Sequence, residues 1–483
     1  MPHFVTLLFD VEDLGWPESD DITLELATRL SQHKVQGTFF IVGEKARFFA
    51  ERGRTDIIAA LEAHDLGSHG HSIHPTVAEY LADLDWDEGV LTAVEEEEAG
   101  FGMLEQIFGR KPAAWGQPGG SWGPQIHAAM ARLHTPVVVY APTRIEDCVD
   151  LHWFAGSLVF PGRALVYFDD ALTDDVAFEQ ALQMMFRQLD ERVMMGARWS
   201  GIFVCHPHRL RAVEFPEALA GWDGLNYDRG GNIQPSAYPA RASGQIPTLR
   251  SDEAYQTGLK NFDRLVEILK QDRRLEIKTI AELRQIFRPP EETVYLYQID
   301  EAVAEIEKKE DILTHFYHFS PAELLDLVAR VYTNPEFALE SPGSPGGVRR
   351  RPVFGPTSEP LPFYPHGEFV YWADFVAACQ MLVNHITYQG RLPASVHLRG
   401  SHWSTGAFYR AAMDIWFQFR KGSPPRAVEW KPGYLYPGVG HEIAVTVQDD
   451  YEAWPIHQPG LDLNKLLMHT CFQSWTLRPA YKR

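Results

Sequence analysis

From Phe4 to about Phe287 the chain alternates short apolar runs with amphipathic stretches, and this alternation limits the possible fold more than any other feature. "FVTLLFDV" has the length and composition of a strand. "DDITLELATRLSQH" spaces its apolar residues as a helix does, behind acidic residues that suit a helix amino terminus. "QGTFFIV" is strand-like again, "TDIIAALEAH" is helical, "HDLGSHG" reads as a short strand, and "DEGVLTAVEEEEAGFGMLEQIF" as a long helix. "AAWGQPGG" and "TPVVVYA" flank the helical "PQIHAAMARL". "ALVYFDD", a helix through "FEQALQMMFRQLDERVMM" and then "GIFVCHPHR" follow. Strands separated by helices predict a parallel sheet or barrel with helices outside. Such folds carry their chemistry on loops at the carboxyl ends of the strands.

Residues Trp222 to Arg250 are rich in Gly, Pro, Ser, Asn and Asp, which predicts a long loop before a helix through "YQTGLKNFDRLVEILK". "RPPEE" near Pro289 is the best domain boundary, dividing the chain into 1–289 and 290–483. Beyond it the character changes. Helices are expected at "DEAVAEIEKKEDILTHFY" and at "SPAELLDLVARVY", where Ser320 and Glu323 have capping-box spacing. "ESPGSPGGVRRRPVFGPTSEP" reads as a Pro/Gly linker with a basic knot at Arg349 to Arg351. A second helix pair follows around "WADFVAACQMLVNHI" and "STGAFYRAAMDIWFQF". The expected class is α/β, with a second, mainly helical C-terminal domain.

A chain of 483 residues is too long for one ordinary core, in keeping with two domains. The formal charge of -21 repels phosphate backbones, so no nucleic-acid partner is expected. The four cysteines lack CxxC spacing, which argues against a zinc knuckle or a disulfide framework. No apolar run approaches the roughly 18 residues of a membrane span. "MPHFVTLLFDVED" runs almost directly into a strand without a signal peptide. The expected location is cytoplasmic, or extracellular should a leader precede this sequence.

In the first strand Thr6, Leu8, Asp10 and Glu12 share one face, because side chains alternate with period 2. Two carboxylates brought together at a strand end need a nearby cation, or one must hold a proton. "HGHSIHPT" supplies His69, His71 and His74 at the end of a later strand, in the same layer. Any two of them could converge on one ion, and Glu12 would add an oxygen, leaving positions open for water and substrate. The plainer alternatives are a polar surface loop and a solvated strand end. "VCHPHR" places His206 at another strand end, and "WGQPGGSWGP" supplies a glycine turn whose backbone N–H groups could face an oxyanion.

In motif order and spacing, these residues resemble the NodB-type polysaccharide deacetylases, carbohydrate esterases with a distorted (β/α) barrel. The resemblance runs from about Phe4 to Phe287. "FDVED" matches the family's first motif, which implies Asp10 as general base and Glu12 as metal ligand. "HSIHP" is similar to the family's H-[ST]-x-x-H-P but one residue short. This implies His74 as one ligand, with either His71 or His69 as the other. "QPGG" (Gln117, Pro118, Gly119) looks like the third motif, with Gln117 where the family has an arginine that steadies the catalytic Asp. Asp150 and Trp153 in "CVDLHW" echo the fourth motif, and His206 matches the histidine that protonates the leaving group. The resemblance implies a divalent ion, zinc first, with manganese, cobalt or nickel as alternatives. It also implies an acetylated glycan or amino sugar as substrate.

Two other functions stand beside this one. The same barrel also resembles metal-independent hydrolases of cyclic amides. A catalytically decayed glycan-binding protein is the third reading, suggested by Gln117. The stretch "WADFVAACQMLVNHITYQGRLPASVHL…STGAFYRAA" is similar to pseudomurein-binding repeats, which implies a wall-binding role. The alternative there is a helical accessory domain that packs on the barrel or forms a homo-oligomer.

Overall fold

The structure is a computed structural model, and it describes residues 2–14, 17–73, 75–141, 150–161, 166–213, 248–287, 293–309, 312, 319–338, 347–361, 369–453 and 460–480. The chain divides into two compact units: 1–151 with 157–287 and 446–464, and 152–156 with 288–445 and 465–483. The predicted loop at 222–250 lies outside the described residues except for its last three positions.

The first unit is built on β1 (His3–Val11), α1 (Ser19–Gln32), β2 (Thr38–Ile41), α2 (Gly43–Glu51), α3 (Thr55–Leu61), β3 (Asp65–Ser68), α4 (Val77–Leu81) and α5 (Trp86–Phe108). It continues through β4 (Ala114–Gly116), α6 (Gln125–Arg132), β5 (Val137–Ala141), β6 (Ser157–Pro161), α7 (Asp175–Met194), β7 (Trp199–Cys205), α8 (Asp252–Gln271), β8 (Leu275–Ile277) and α9 (Ile280–Ile286). The strands run in the order β6-β5-β4-β3-β2-β1-β7, all parallel. β1 is the most connected: β7 lies along one edge, while the other edge pairs first with β8 and then with β2. Among the described strands β6 and β7 do not pair, so the sheet is a curled, incomplete barrel, the distorted (β/α) form that the sequence predicts.

All nine residues of β1 are buried. Val5, Leu7, Phe9 and Val11 enter an apolar core with Leu26 and Leu30 of α1, Phe39 and Ile41 of β2 and Phe262 of α8. Phe9 stacks on Phe39 at 4.5 Å between ring centroids. Burying each such side chain is worth about 1.5–3 kcal/mol. A one-residue slip would exchange Phe9 for Asp10 in that core, so the register is fixed and Asp10 is held on the opposite face. Opposite β7 the register shifts between Leu8 and Phe9, an irregularity immediately beside Asp10.

The histidine loop after β3 is clamped by backbone. Gly43 N–H donates to the Gly70 carbonyl at 3.0 Å, and Glu44 N–H to the His71 carbonyl at 3.1 Å. A Cβ on Gly100 of α5 would lie 2.7 Å from the His71 Cα, and one on Gly43 would lie 2.9 Å from the Gly100 Cα. Only glycine lets these three backbones meet.

The second unit is mainly helical. Helices Leu296–Lys309, Pro321–Thr333, Trp372–Gln389 and Thr405–Asp414 surround a core that includes Leu325, Val328, Phe375, Leu382, Phe408 and Trp416. The expected capping box is present, with Ser320 and Glu323 bonding reciprocally. The predicted Pro/Gly linker is corrected in part. Gly347–Arg349 is a strand paired antiparallel with Thr293–Tyr295. The basic knot is not a free linker feature either. Arg350 meets the buried Glu323 at 2.7 Å and Arg351 meets the buried Asp326 at 2.5 Å, because two carboxylates inside a helix require cations. Within the same unit, His152–Phe154 pairs antiparallel with Arg478–Pro479.

Candidate active site

The carboxyl ends of β1, β3, β5 and β7 bring four titratable groups and a phenol together. Asp10 and Glu12 leave the end of β1 on one face. His69 follows β3, and its Nδ1 lies 2.9 Å from the Gly116 carbonyl oxygen. A carbonyl only accepts, so Nδ1 carries a proton and donates it. His69 Nε2 then faces Glu12 Oε2 at 3.2 Å and Asp10 Oδ2 at 3.7 Å. His206 follows β7. Its Nε2 lies 3.3 Å from Glu12 Oε1, and its Nδ1 lies 3.2 Å from both carboxylate oxygens of Asp169. The His206 backbone N–H also donates to Asp169 Oδ1 at 2.8 Å. The Tyr140 hydroxyl donates to Asp10 Oδ1 at 3.0 Å. The Gln117 amide donates to the Tyr140 carbonyl at 2.7 Å.

Burial pushes the Asp10 carboxyl above its ordinary range, against the pull of His69 and His206. Burial acts on Glu12 in the same sense, but His206 and His69 outweigh it and hold Glu12 below its ordinary range. Burial opposes the charge on His69, yet Asp10 and Glu12 raise it. Burial likewise opposes the charge on His206, but Asp169 and Glu12 push it up to about 10. Both carboxylates thus favour the protonated form of His206.

A pH dependence follows. The folded value of about 10 stands above the ordinary 6.5, so the His206 contribution to stability is fully present below about pH 6.5. It is lost as pH rises through about 10. Melting temperatures of chelator-treated protein, followed from neutral pH upward, should fall more steeply for wild type than for His206→Gln. Parallel curves would show that His206 carries no such charge.

The other predicted residues are placed as follows. His71 is one-third exposed and its Nε2 faces Glu44 at 3.6 Å, so the loop turns it toward α2. His74 lies outside the described residues. Among the described residues, no group of three or more His, Cys, Asp or Glu is disposed to hold a metal ion. Pro118 lies against the histidine loop, 3.7 Å from where a Cβ on Gly70 would sit, and Gly119 takes the positive φ of a tight turn. The structure does not bring Asp150 to this cluster. Asp150 accepts from the Arg198 backbone N–H at 3.1 Å and pairs with its guanidinium at 2.5 Å. Arg198 precedes β7 whereas His206 follows it, a separation of about 26 Å along a strand of that length. Trp153 belongs to the second unit, where it is buried with the Arg478 guanidinium 5.2 Å from its ring centre.

Two residues of the cluster have no part in the sequence reading: Tyr140 and Asp169. Tyr140 lies in "VVVYA" at the carboxyl end of a predicted strand, in the layer where such folds carry their chemistry. Asp169 stood in "YFDD" ahead of a helix, where an acidic residue is ordinarily a cap.

No curated protein matches the chain. Among solved structures, the peptidoglycan deacetylase PdaC from Bacillus subtilis is similar at 14% identity, covering 64% of this chain and 98% of that one, with a TM-score of 0.29. Puue allantoinase is similar at 14% identity, covering 60% and 96%, with a TM-score of 0.38. A probable polysaccharide deacetylase from Pseudomonas aeruginosa PAO1 is similar at 12% identity, covering 60% and 96%, with a TM-score of 0.37. The polysaccharide deacetylase family model matches residues 2–138. The segment that carries Asp10, Glu12 and His69 is thus of the polysaccharide deacetylase, or NodB, type.

Proposed function

We propose that the chain is a metal-dependent hydrolase that removes acetyl groups, those on nitrogen first, from a carbohydrate or amino-sugar derivative. The observation that carries this reading is the convergence of Asp10, Glu12, His69 and His206 at the carboxyl ends of β1, β3 and β7. With Nδ1–H of His69 committed to Gly116, its Nε2 shares one small space with Glu12 Oε2 and Asp10 Oδ2. That arrangement needs positive charge, either a second proton on His69 or a cation. A carboxylate beside an imidazole whose far nitrogen is anchored on a backbone carbonyl is the donor chemistry of a zinc site. Glu12 and His69 would hold the ion, with His74 as the third ligand. When bound, the ion supplies Lewis-acid polarisation of the acetyl carbonyl and a more acidic water.

The chain's own residues supply the rest. Asp10 takes a proton from the attacking water through Oδ2, its other oxygen being held by Tyr140. Backbone N–H groups of the Gln117–Gly119 turn face the oxyanion. His206, cationic and fixed by Asp169, gives the Nε2 proton to the departing nitrogen as the C–N bond breaks. Water and amide become acetate and amine. The second unit would add glycan-binding surface or a self-association face.

One observation favours the metal-independent cyclic-amide hydrolase as the second reading: protonated His69 and His206 supply positive charge to Asp10 and Glu12 without a metal, although Asp169 also draws on His206. The distinguishing experiment is elemental analysis of protein purified without chelator, with acetate release from an N-acetylglucosamine oligomer. Stoichiometric metal and released acetate support the first reading. Metal-free protein that opens a cyclic amide supports the second.

A further inference from the structure

We infer that Tyr140 is the positioning residue of Asp10, set by a bulge in β5 and clamped by Gln117. The inference rests on the reading of Asp10 as the general base. Several independent features converge on it. In the pairing of β5 with β6, Val139 faces Phe160 and Ala141 faces Pro161, so Tyr140 is skipped in the ladder. Its φ is +65°, a left-handed conformation that a bulky side chain rarely takes. Residues held that way persist only where their surroundings over-determine them, and they cluster at functional sites.

The surroundings do over-determine Tyr140. The buried Gln117 side chain donates to its carbonyl at 2.7 Å, which fixes the turned peptide. The ring packs 5.5 Å from that of Phe40. It also lies so close to Gly116 that a Cβ there would come within 3.1 Å of Tyr140 Cδ2. What this strain delivers is the hydroxyl, 3.0 Å from Asp10 Oδ1. The phenol stays protonated, because burial and the Asp10 charge both raise it well above its ordinary value. Asp10 is thereby fixed through one oxygen, and Oδ2 is left on the side of His69 and Glu12. A neutral donor orients the carboxylate without adding a cation to a site that already holds two imidazoles.

The test separates this role from packing and from the proposed reaction. Tyr140→Phe keeps the ring, the bulge and the backbone strain and removes only the hydrogen bond. Its kcat should fall about ten- to a hundredfold with KM unchanged, the usual scale for a misplaced catalytic group. Gln117→Ala should lower kcat by a smaller factor and add nothing in the Tyr140→Phe background, because both act through one hydroxyl. Urea denaturation reads the contact without any turnover. Tyr140→Phe should lower the unfolding midpoint in the wild-type background and leave it unchanged in Asp10→Ala. Wild type that releases no acetate while this coupling appears would end the deacetylase reading and uphold the Tyr140–Asp10 contact. Acetate release at the wild-type rate by Tyr140→Phe, or midpoint shifts that simply add, would overturn the positioning role.

Discussion

On the proposed reading, Asp10→Asn should lower acetate release by about 10²- to 10⁴-fold while the protein keeps its metal, the range expected for loss of a general base. Asparagine has the same shape, and its Oδ1 still accepts from the Tyr140 hydroxyl, so the seat of the side chain survives. What disappears is the proton acceptor at Oδ2. Asp10 lies within reach of His69 at 3.7 Å, but Glu12 makes the closer contact with that ring at 3.2 Å. The metal should therefore stay. The check is kcat together with metal content on the same preparation. Turnover within a few-fold of wild type would remove Asp10 from the role of base.

His69→Ala has the second large effect. It removes the imidazole that the structure places closest to Glu12, with its far nitrogen anchored on the Gly116 carbonyl. Metal content should drop from about one per chain to near none, since a tetrahedral site built from three protein ligands does not tolerate loss of one. Activity should fall with it. His71→Ala is the matched control. That ring faces Glu44 on α2, so its loss should leave metal content unchanged. Retention of metal by His69→Ala with loss in His71→Ala would reverse the assignment of the loop.

This pair of variants also marks the limit of what the sequence makes legible. The β-α alternation was readable because strands and helices impose different periods on apolar residues. The common face of Asp10 and Glu12 was readable for the same reason. The histidine loop has no period. The choice between His69 and His71 depends on Gly70, whose positive φ swings the chain so that successive histidines point to different partners. Tyr140 was hidden because a bulge breaks the alternation at that residue, and bulges leave no mark in composition. Asp150 stands close in sequence to a motif-like Trp, yet in the structure it pairs with Arg198. Its partner, Arg198, lies 48 residues away at the other end of β7. Arg350 and Arg351 looked like a linker feature because their carboxylates, Glu323 and Asp326, sit on a helix more than twenty residues earlier.

The most direct measurement is acetate release from an N-acetylglucosamine oligomer by wild-type protein that has been stripped with a chelator and then given zinc. Stripped protein should be inert, and activity should return as zinc approaches one equivalent. Stripped protein that hydrolyses its substrate at the full rate would contradict a metal at Glu12 and His69.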